Sequence, residues 1–346
     1  MHITFLISNL SNSGGTQRIL TLLCNEMVKV FPITILIHNT GKPFFHLSDE
    51  VNVIPLKGNI FTRNIQIYKI LKNTNSRYYV NLDTNSILLN GFFLPSNTKL
   101  IVWEHYSLLN NFSKKLYVIS RFYASLIAYK FVLLSDFEKE LWQKKYNLST
   151  SKSNVIYNPV TIAGNDIDRT NKYSNKKFIA IGNDIEVKGF DLLLKAWKIA
   201  NISEWKLVIA GLDSDQLEQL VKDVENCNVH NVTILPRQKR IQDIYKNSSV
   251  LVLSSRKEAT PLTITESQAF GIPAIVSNHL PGVLEQISNS ALIAIHDDDY
   301  VNNLSRLLMQ ITNEELYNRL HLNCLSNAER FNIQHFSQQW LKLIFN

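Results

Sequence analysis

Cysteine is scarce in this chain: Cys24, Cys227 and Cys324 are the three among 346 residues, odd in number and far apart. That spacing excludes a disulfide framework and a cysteine-rich metal site, and all three read as buried thiols of a reducing compartment. No apolar run approaches the ~20 residues that a membrane-spanning helix needs. The opening residues, Met1 to Ser8, lack a basic flank and carry too short an apolar stretch for a secretory leader, so a first strand is expected there. Negative charge is also in deficit, with 36 Lys and Arg against 29 Asp and Glu, a formal +7. Such a surplus suits anionic partners such as nucleotide phosphates, a polyphosphate lipid or an acidic membrane surface. The basic residues are scattered and no base-reading motif appears, so nucleic acid is not expected as a partner. What remains is globular: 45% hydrophobic and 19% charged residues, without repeats or low-complexity segments.

Short apolar runs recur through the chain with helical patterns between most of them. In the first half they fall at 3–7, 33–37, 78–81, 100–103, 131–134 and 154–157. In the second they fall at 178–181, 206–210, 232–235, 250–253, 274–276 and 291–295. Strands alternating with helices imply an α/β protein with doubly wound, mostly parallel sheets, which bind ligands beyond the carboxyl ends of their strands. Asn158-Pro159 closes the first series and a polar stretch follows to Lys177. The expected division is a first domain over 1–157, a linker over 158–177 and a second domain over 178–329.

The most explicit stretch begins with the apolar run Val250-Leu251-Val252-Leu253 and continues Ser254-Ser255-Arg256-Lys257-Glu258-Ala259-Thr260-Pro261-Leu262. Thr260 is expected to cap a helix with Pro261 at its first position, and Gly271 to close it before Pro273 leads into the next strand. Glu258 then lies in the loop before a helix N-terminus, and Glu266 lies two turns inside the helix. Free N–H groups at such a terminus suit a phosphate or a sugar hydroxyl. A carboxylate beside them can accept from hydroxyls or stabilise positive charge on a sugar ring. The bland alternative is a surface loop carrying two solvated glutamates.

These residues resemble a family. Glu258 and Glu266 form the E-x7-E pattern of family-4 glycosyltransferases of the GT-B fold, and the surrounding string from Ser255 to Pro273 is similar almost position by position. The resemblance implies two Rossmann-like domains facing across a cleft, with a closing helix of about 330–346 packing back on the first. It also implies transfer of a sugar from a nucleotide donor, with retention at the anomeric carbon and no required metal ion or other cofactor. Glu258 would contact the transferred sugar, Glu266 the ribose, and the backbone around Thr260, Pro261 and Leu262 the sugar or phosphate oxygens. Lys188, in Lys188-Gly189-Phe190-Asp191, is similar to the family's donor-phosphate lysine, and Arg237 follows a strand where backbone contacts to the nucleobase are expected. Gly14-Gly15 resembles the N-terminal glycine-rich loop beside donor phosphate and acceptor. His105, in Trp103-Glu104-His105-Tyr106-Ser107 at a strand end, matches a histidine that the family carries there. On its own it reads equally as a loop histidine packed against Tyr106.

The match departs at Asn183, where an arginine is usual, so one cation of the expected diphosphate pair is missing unless Arg237 or Arg256 substitutes. Ala259 and Ser290 also stand where glycine and an Asn-Gly turn are usual. The likeness is nearly continuous in the second half and confined to islands in the first. The expected activity is therefore a metal-independent hexosyltransferase using a UDP-sugar, acting on a glycan or polyprenyl-diphosphate-linked glycan in surface polysaccharide synthesis. The alternatives are a non-catalytic partner subunit, motivated by Asn183, and a sugar-nucleotide epimerase on the same fold. The run Asp297-Asp298-Asp299 reads as a solvated helix start, not a metal site. The stretch 113–130 mixes Lys114, Lys115, Arg121 and Lys130 with Leu116, Val118, Ile119, Phe122, Leu126 and Ile127. It is expected to give peripheral contact with an anionic membrane on the cytoplasmic side; the alternative is a core-packed helix with a solvated basic face.

Overall fold

Buried parallel strands read as unbroken apolar runs because both faces of their sheet are covered. The computed structural model describes residues 1–82, 84, 87–90, 93–109 and 115–345, with Leu89 described in its backbone only. The chain separates into two compact units, Met1–Thr161 with Ile333–Asn346, and Ile162–Asn332.

The first unit runs β1 (His2–Ile7), α1 (Gly15–Met27), β2 (Ile33–Ile37), β3 (Asn52–Pro55), α2 (Ile60–Asn73), β4 (Ser76–Asn81), α3 (Ile87–Asn90), β5 (Lys99–Trp103), α4 (Lys115–Ile127), β6 (Lys130–Leu133), α5 (Asp136–Tyr146) and β7 (Ser153–Val155). Its seven strands are all parallel, in the order β3-β2-β1-β4-β5-β6-β7. The terminal helix Ile333–Phe345 belongs to this unit: Trp340 stacks edge-on against Trp103 at 4.7 Å, and Tyr78 donates to the Ile344 carbonyl at 2.7 Å. Gly15 is the first residue of α1, and the helix ends at Met27.

The second unit runs β8 (Lys177–Ile181), α6 (Ile185–Lys188), α7 (Phe190–Ala200), β9 (Lys206–Leu212), α8 (Ser214–Asn226), β10 (Val232–Pro236), α9 (Ile241–Lys246), β11 (Val250–Leu253), α10 (Leu262–Ala269), β12 (Ala274–Ser277), α11 (Pro281–Ile287), β13 (Ala291–Ala294), α12 (Tyr300–Gln310) and α13 (Glu314–Ala328). Its six strands are again all parallel, in the order β10-β9-β8-β11-β12-β13. The segment before β8 holds two short 3-10 turns, and Lys172 within it is buried, its Nζ donating to the Asp168 and Thr170 carbonyls at 2.8 Å each.

In both sheets the order reverses direction once, between β1 and β4 and between β8 and β11. Loops leaving adjacent strands at such a point diverge to opposite faces and open a crevice at the carboxyl edge. In the second unit those are the loops that carry Lys188 and Glu258. Each sheet has its own core. Trp142 stacks on Phe131 at 4.9 Å in the first, and Phe178 lies between Trp197 and Trp205 in the second. Two sequence expectations change. β3 has no counterpart among the predicted strands, and of the three thiols Cys24 and Cys324 are buried whereas Cys227 is exposed.

Candidate functional site

Lys188 closes the single turn α6, whose start is capped by the Asp184 carboxylate accepting from the Val187 N–H at 2.7 Å. Gly189 follows with φ +64°, which favours glycine, and a Cβ there would stand 2.2 Å from the Ser254 carbonyl oxygen. That close approach brings the loop after β8 against the loop after β11. Ser254 Oγ donates to the Lys188 carbonyl at 2.9 Å and the Arg256 N–H to the Val187 carbonyl at 2.9 Å. The Arg256 guanidinium grips Asp191 through two bonds of 2.7 Å, a bidentate arrangement with geometric as well as electrostatic specificity. Lys188 lays its stem across Gly182, where a Cβ would fall 2.3 Å from Lys188 Cγ.

The result is an ion pair at the switch point. Lys188 Nζ stands 2.6 Å from Glu258 Oε1, which also accepts from Ser255 Oγ at 2.9 Å. Both side chains keep some access to water, 19% for Lys188 and 11% for Glu258, so either can exchange its partner for a ligand. Thr260 does not cap α10 as expected. Pro261 occupies the capping position in extended conformation, with no side-chain cap, while Thr260 is buried beneath it. The helix α10 starts one residue later than expected, at Leu262. Gly271 does end the helix, at φ +68°.

Glu266 lies inside α10, almost fully buried, with Oε2 accepting from the Tyr245 hydroxyl at 3.0 Å. Tyr245 is itself fully buried and stacked on Phe270. Asn183 and Arg237 are exposed at the ends of β8 and β10, and Arg237 pairs with Asp213 at 3.2 Å. Arg256 is committed to Asp191, so it does not stand in for the missing cation at Asn183.

In the first unit Gly15 opens α1, exposed, and His105 follows β5. His105 packs on Trp103, ring centres 4.6 Å apart, and not on Tyr106 as in the bland alternative. Its Nε2 is enclosed without a hydrogen-bond partner among the described residues, and burial drives its pKa down to about 3, so the ring is neutral. Beside it sit three charged side chains that are all buried: Glu104, Arg121 and Glu138. Burial lifts the Glu104 carboxyl to about 7 against the opposing pull of Arg121.

Arg121 turns inward, which departs from the alternative of a core-packed α4 with a solvated basic face. The helix buries Ser120, Arg121, Ala124 and Ser125 and exposes Leu116, Val118, Ile119, Phe122, Leu126 and Ile127. Its last turn is closed by Lys152, whose Nζ donates to the Leu126 carbonyl at 3.0 Å, as a cation at a helix C-terminus should. Ser113 and Lys114 lie outside the described residues. None of the described helices is long and apolar enough to cross a membrane.

Ser255, Asp191 and Tyr245 were not singled out from sequence; Asp191 and Ser255 stand in the strings that resemble the family, whereas Tyr245 left no trace there. The sequence also holds an Asp-x-Asp at a strand end that the metal-free expectation passed over: Asp213-Ser214-Asp215, directly after β9. Asp213 is paired with Arg237, and among the described residues no cluster of three or more His, Cys, Asp or Glu side chains could hold a metal ion.

With this geometry the comparisons with known proteins agree. The fold is similar to that of Anabaena HepE in complex with UDP-glucose, with a TM-score of 0.80 at 14% identity, covering 99% of each chain. It is a GT-B fold, two Rossmann-like units each with one parallel sheet. Residues 165–329 match the family model of glycosyl transferases group 1. The chain is 27% identical to an uncharacterized glycosyltransferase of Haemophilus influenzae, with 98% of each covered. It is 26% identical, over 99% of itself and 98% of the relative, to a GalNAc-alpha-(1->4)-GalNAc-alpha-(1->3)-diNAcBac-PP-undecaprenol alpha-1,4-N-acetyl-D-galactosaminyltransferase of Campylobacter jejuni. The likeness to glycosyltransferases thus spans residues 165–329 for the group 1 family model and nearly the whole chain for these two relatives.

Proposed function

We propose that this glycosyltransferase moves a sugar from a UDP-sugar to a glycan or polyprenyl-diphosphate-linked glycan, with retention and without a metal ion, in surface polysaccharide synthesis. The observation that carries the reading is the Lys188–Glu258 pair at the switch point, set beside the start of α10 inside the region that matches the family. When donor enters, Lys188 transfers its charge from Glu258 to the diphosphate, where negative charge grows as the bond to the sugar breaks. Glu258 is then free to face the sugar ring, where positive charge develops. The N–H groups of Thr260 and Leu262 hold sugar or phosphate oxygens, Pro261 having none to offer. Glu266, oriented by Tyr245, takes the ribose hydroxyls. Arg237 follows β10 where the base would lie, and Asn183 and Gly15 line the donor loops. The neutral His105 offers a hydrogen bond to a sugar hydroxyl on the acceptor side. Attack on the face from which the diphosphate departs is the route the resemblance implies.

The UDP complex of the similar fold and the lipid-linked acceptor in the relative's name support the choice of substrates. The exposed apolar side chains of α4, flanked by Lys115 and Lys130, support peripheral contact with an anionic membrane on the cytoplasmic side, where lipid-linked acceptors reside. The non-catalytic reading retains one observation in its favour, that Arg256 and Arg237 are both held by aspartates and neither supplies the cation absent at Asn183.

The test is a thermal-shift panel of UDP-, GDP- and dTDP-sugars, followed by transfer to a polyprenyl-diphosphate-linked glycan in EDTA, with the anomeric configuration of the product read by NMR. Stabilisation by a UDP-sugar and an acceptor-dependent, EDTA-resistant product of retained configuration are expected. No donor hydrolysis and no transfer would favour the non-catalytic subunit, whereas turnover without acceptor would favour the epimerase. Loss of activity in EDTA restored by manganese would overturn metal independence.

A further inference from the structure

Three charged side chains from three different elements meet inside the first unit. Glu104 follows β5, Arg121 comes from α4 and Glu138 from α5, and each is at least 95% buried. Removing charges from water costs several kcal/mol per ion, and well-packed apolar residues often serve stability equally well or better. The cluster therefore calls for a reason beyond holding the unit together, and its hydrogen bonds supply one. Glu104 Oε1 accepts from the Tyr106 N–H at 3.0 Å. Glu138 accepts from the Ser107 hydroxyl through Oε1 and from the Leu108 N–H at 3.1 Å through Oε2. The Leu109 N–H in turn donates to Ser107 Oγ at 3.2 Å. Three consecutive residues after His105 are thus tied to two carboxylates, and the fourth, Leu109, to Ser107.

The carboxylates are themselves fixed. Arg121 Nε stands 3.8 Å from Glu104 Oε2 and holds it from the α4 side. Ser135 caps α5 by accepting from the Glu138 N–H at 3.1 Å, which sets the height at which Glu138 enters the cluster. His105 is confined from both directions, by Trp103 against its ring and by the tied segment that follows it.

We propose that Glu138 and Glu104, the latter paired with Arg121, are positioning residues for sugar transfer. They hold 105–109 in one conformation, so that His105 and the exposed Tyr106 meet the acceptor in a fixed arrangement. This rests on the reading of the β5 end as part of the acceptor side.

The test varies Glu138 and reads two quantities. Glu138→Ala leaves the Leu108 N–H and the Ser107 hydroxyl without their carboxylate. Glu138→Gln keeps an acceptor for Leu108 N–H and lets its amide donate to Ser107 Oγ, which can reverse its role. Amide hydrogen exchange across 105–109 should rise at least tenfold in Glu138→Ala and stay near wild type in Glu138→Gln. Transfer kinetics, measured well below each melting midpoint, should follow the same order. Glu138→Ala should lose about tenfold or more in kcat or acceptor KM, as a small misplacement of a reacting group does. Donor KM should stay within about twofold, and Glu138→Gln should recover most of the loss. Should Glu138→Ala fail to fold, Ser107→Ala removes the ties of the hydroxyl to Glu138 and to the Leu109 N–H, keeps that of Leu108, and should give the same split at smaller size. Unchanged exchange, or unchanged kinetics in an active protein, would overturn the positioning role alone. A donor KM that rises in step with the loss would assign the cluster to stability instead. An inactive wild type would remove the transfer reading and the positioning role with it.

Discussion

Two charged clusters stand at the carboxyl edges of the two sheets, and they differ in what water can reach. Lys188 and Glu258, at the ends of β8 and β11, face each other at 2.6 Å while each keeps part of its side chain exposed. Glu104, Arg121 and Glu138, beside the end of β5, are sealed. An ion pair with access to water can trade its partner for an anionic ligand at modest cost, because solvent compensates both charges during the exchange. A sealed cluster cannot, since any unpaired member would be left in low dielectric. The open pair is fitted to bind and the sealed one to hold. The framework around the open pair is nonetheless rigid: the Arg256–Asp191 fork and the contact of Gly189 with Ser254 fix the loops that present it.

The sharpest way to break this comparison is to remove the open carboxylate. Glu258→Ala should lower kcat by ~10²-fold or more, the size found when one preorganised electrostatic group is deleted, with little loss of melting temperature because the side chain is partly solvated. Glu266→Ala should behave differently. A ribose contact is much the same in ground and transition states, so its loss should raise the donor KM and change kcat little. Because Glu266 is buried against Tyr245, its removal should also lower the melting temperature. Wild-type kcat and donor KM in both variants would make the E-x7-E match coincidental and favour the non-catalytic reading.

The apolar face of α4 sharpens the comparison from outside, since the helix that sends Arg121 inward turns Phe122 and Leu126 out. Burying a phenylalanine side chain is worth roughly 1.5–3 kcal/mol. Phe122→Ser should therefore weaken binding to anionic liposomes about tenfold without touching the inner cluster. High salt should release the wild type, because screening is nearly complete beyond ~8 Å at physiological ionic strength. Liposome binding indifferent to both salt and Phe122 would end the membrane reading.

How much of this could be read beforehand depends on whether the signal is local. The β11–α10 stretch announced itself because strand, loop, helix and glycine stop are consecutive, and Glu258 and Glu266 lie within it. Lys188 came from resemblance; its pairing with Glu258 spans 70 positions and follows from the strand order, which no local pattern encodes. β3 was missed because it is a short, half-exposed edge strand, beginning in Asn52 and ending in Pro55, without a run or an alternation to mark it. For α4 two readings stood because amphipathic periodicity shows that a helix has two faces and leaves open which one points inward. Arg121 settled that by finding Glu104, a partner 17 positions upstream on another element.

The smallest effect is one of pH. The Glu104 carboxyl is held near 7 in the folded protein against an ordinary 4.5, by burial. Between those values the folded state binds more protons than the unfolded one, so the stability from Glu104 is complete below 4.5 and is lost as pH rises through 7. His105 acts in the opposite sense. Its folded pKa of about 3 lies below the ordinary 6.5, so the stability it contributes is present above 6.5 and is lost as pH falls toward 3. Across 4.5–6.5 the slopes of these two groups oppose and nearly cancel each other. Glu104→Gln keeps the acceptor for the Tyr106 N–H and removes one of the slopes. The melting temperature of the variant relative to wild type should then climb steadily from pH 4.5 to 7, measured in buffers of matched ionic strength. Parallel curves over that range would mean that Glu104 exchanges its proton as an exposed glutamate does, and the contrast between an open and a sealed cluster would fall with it.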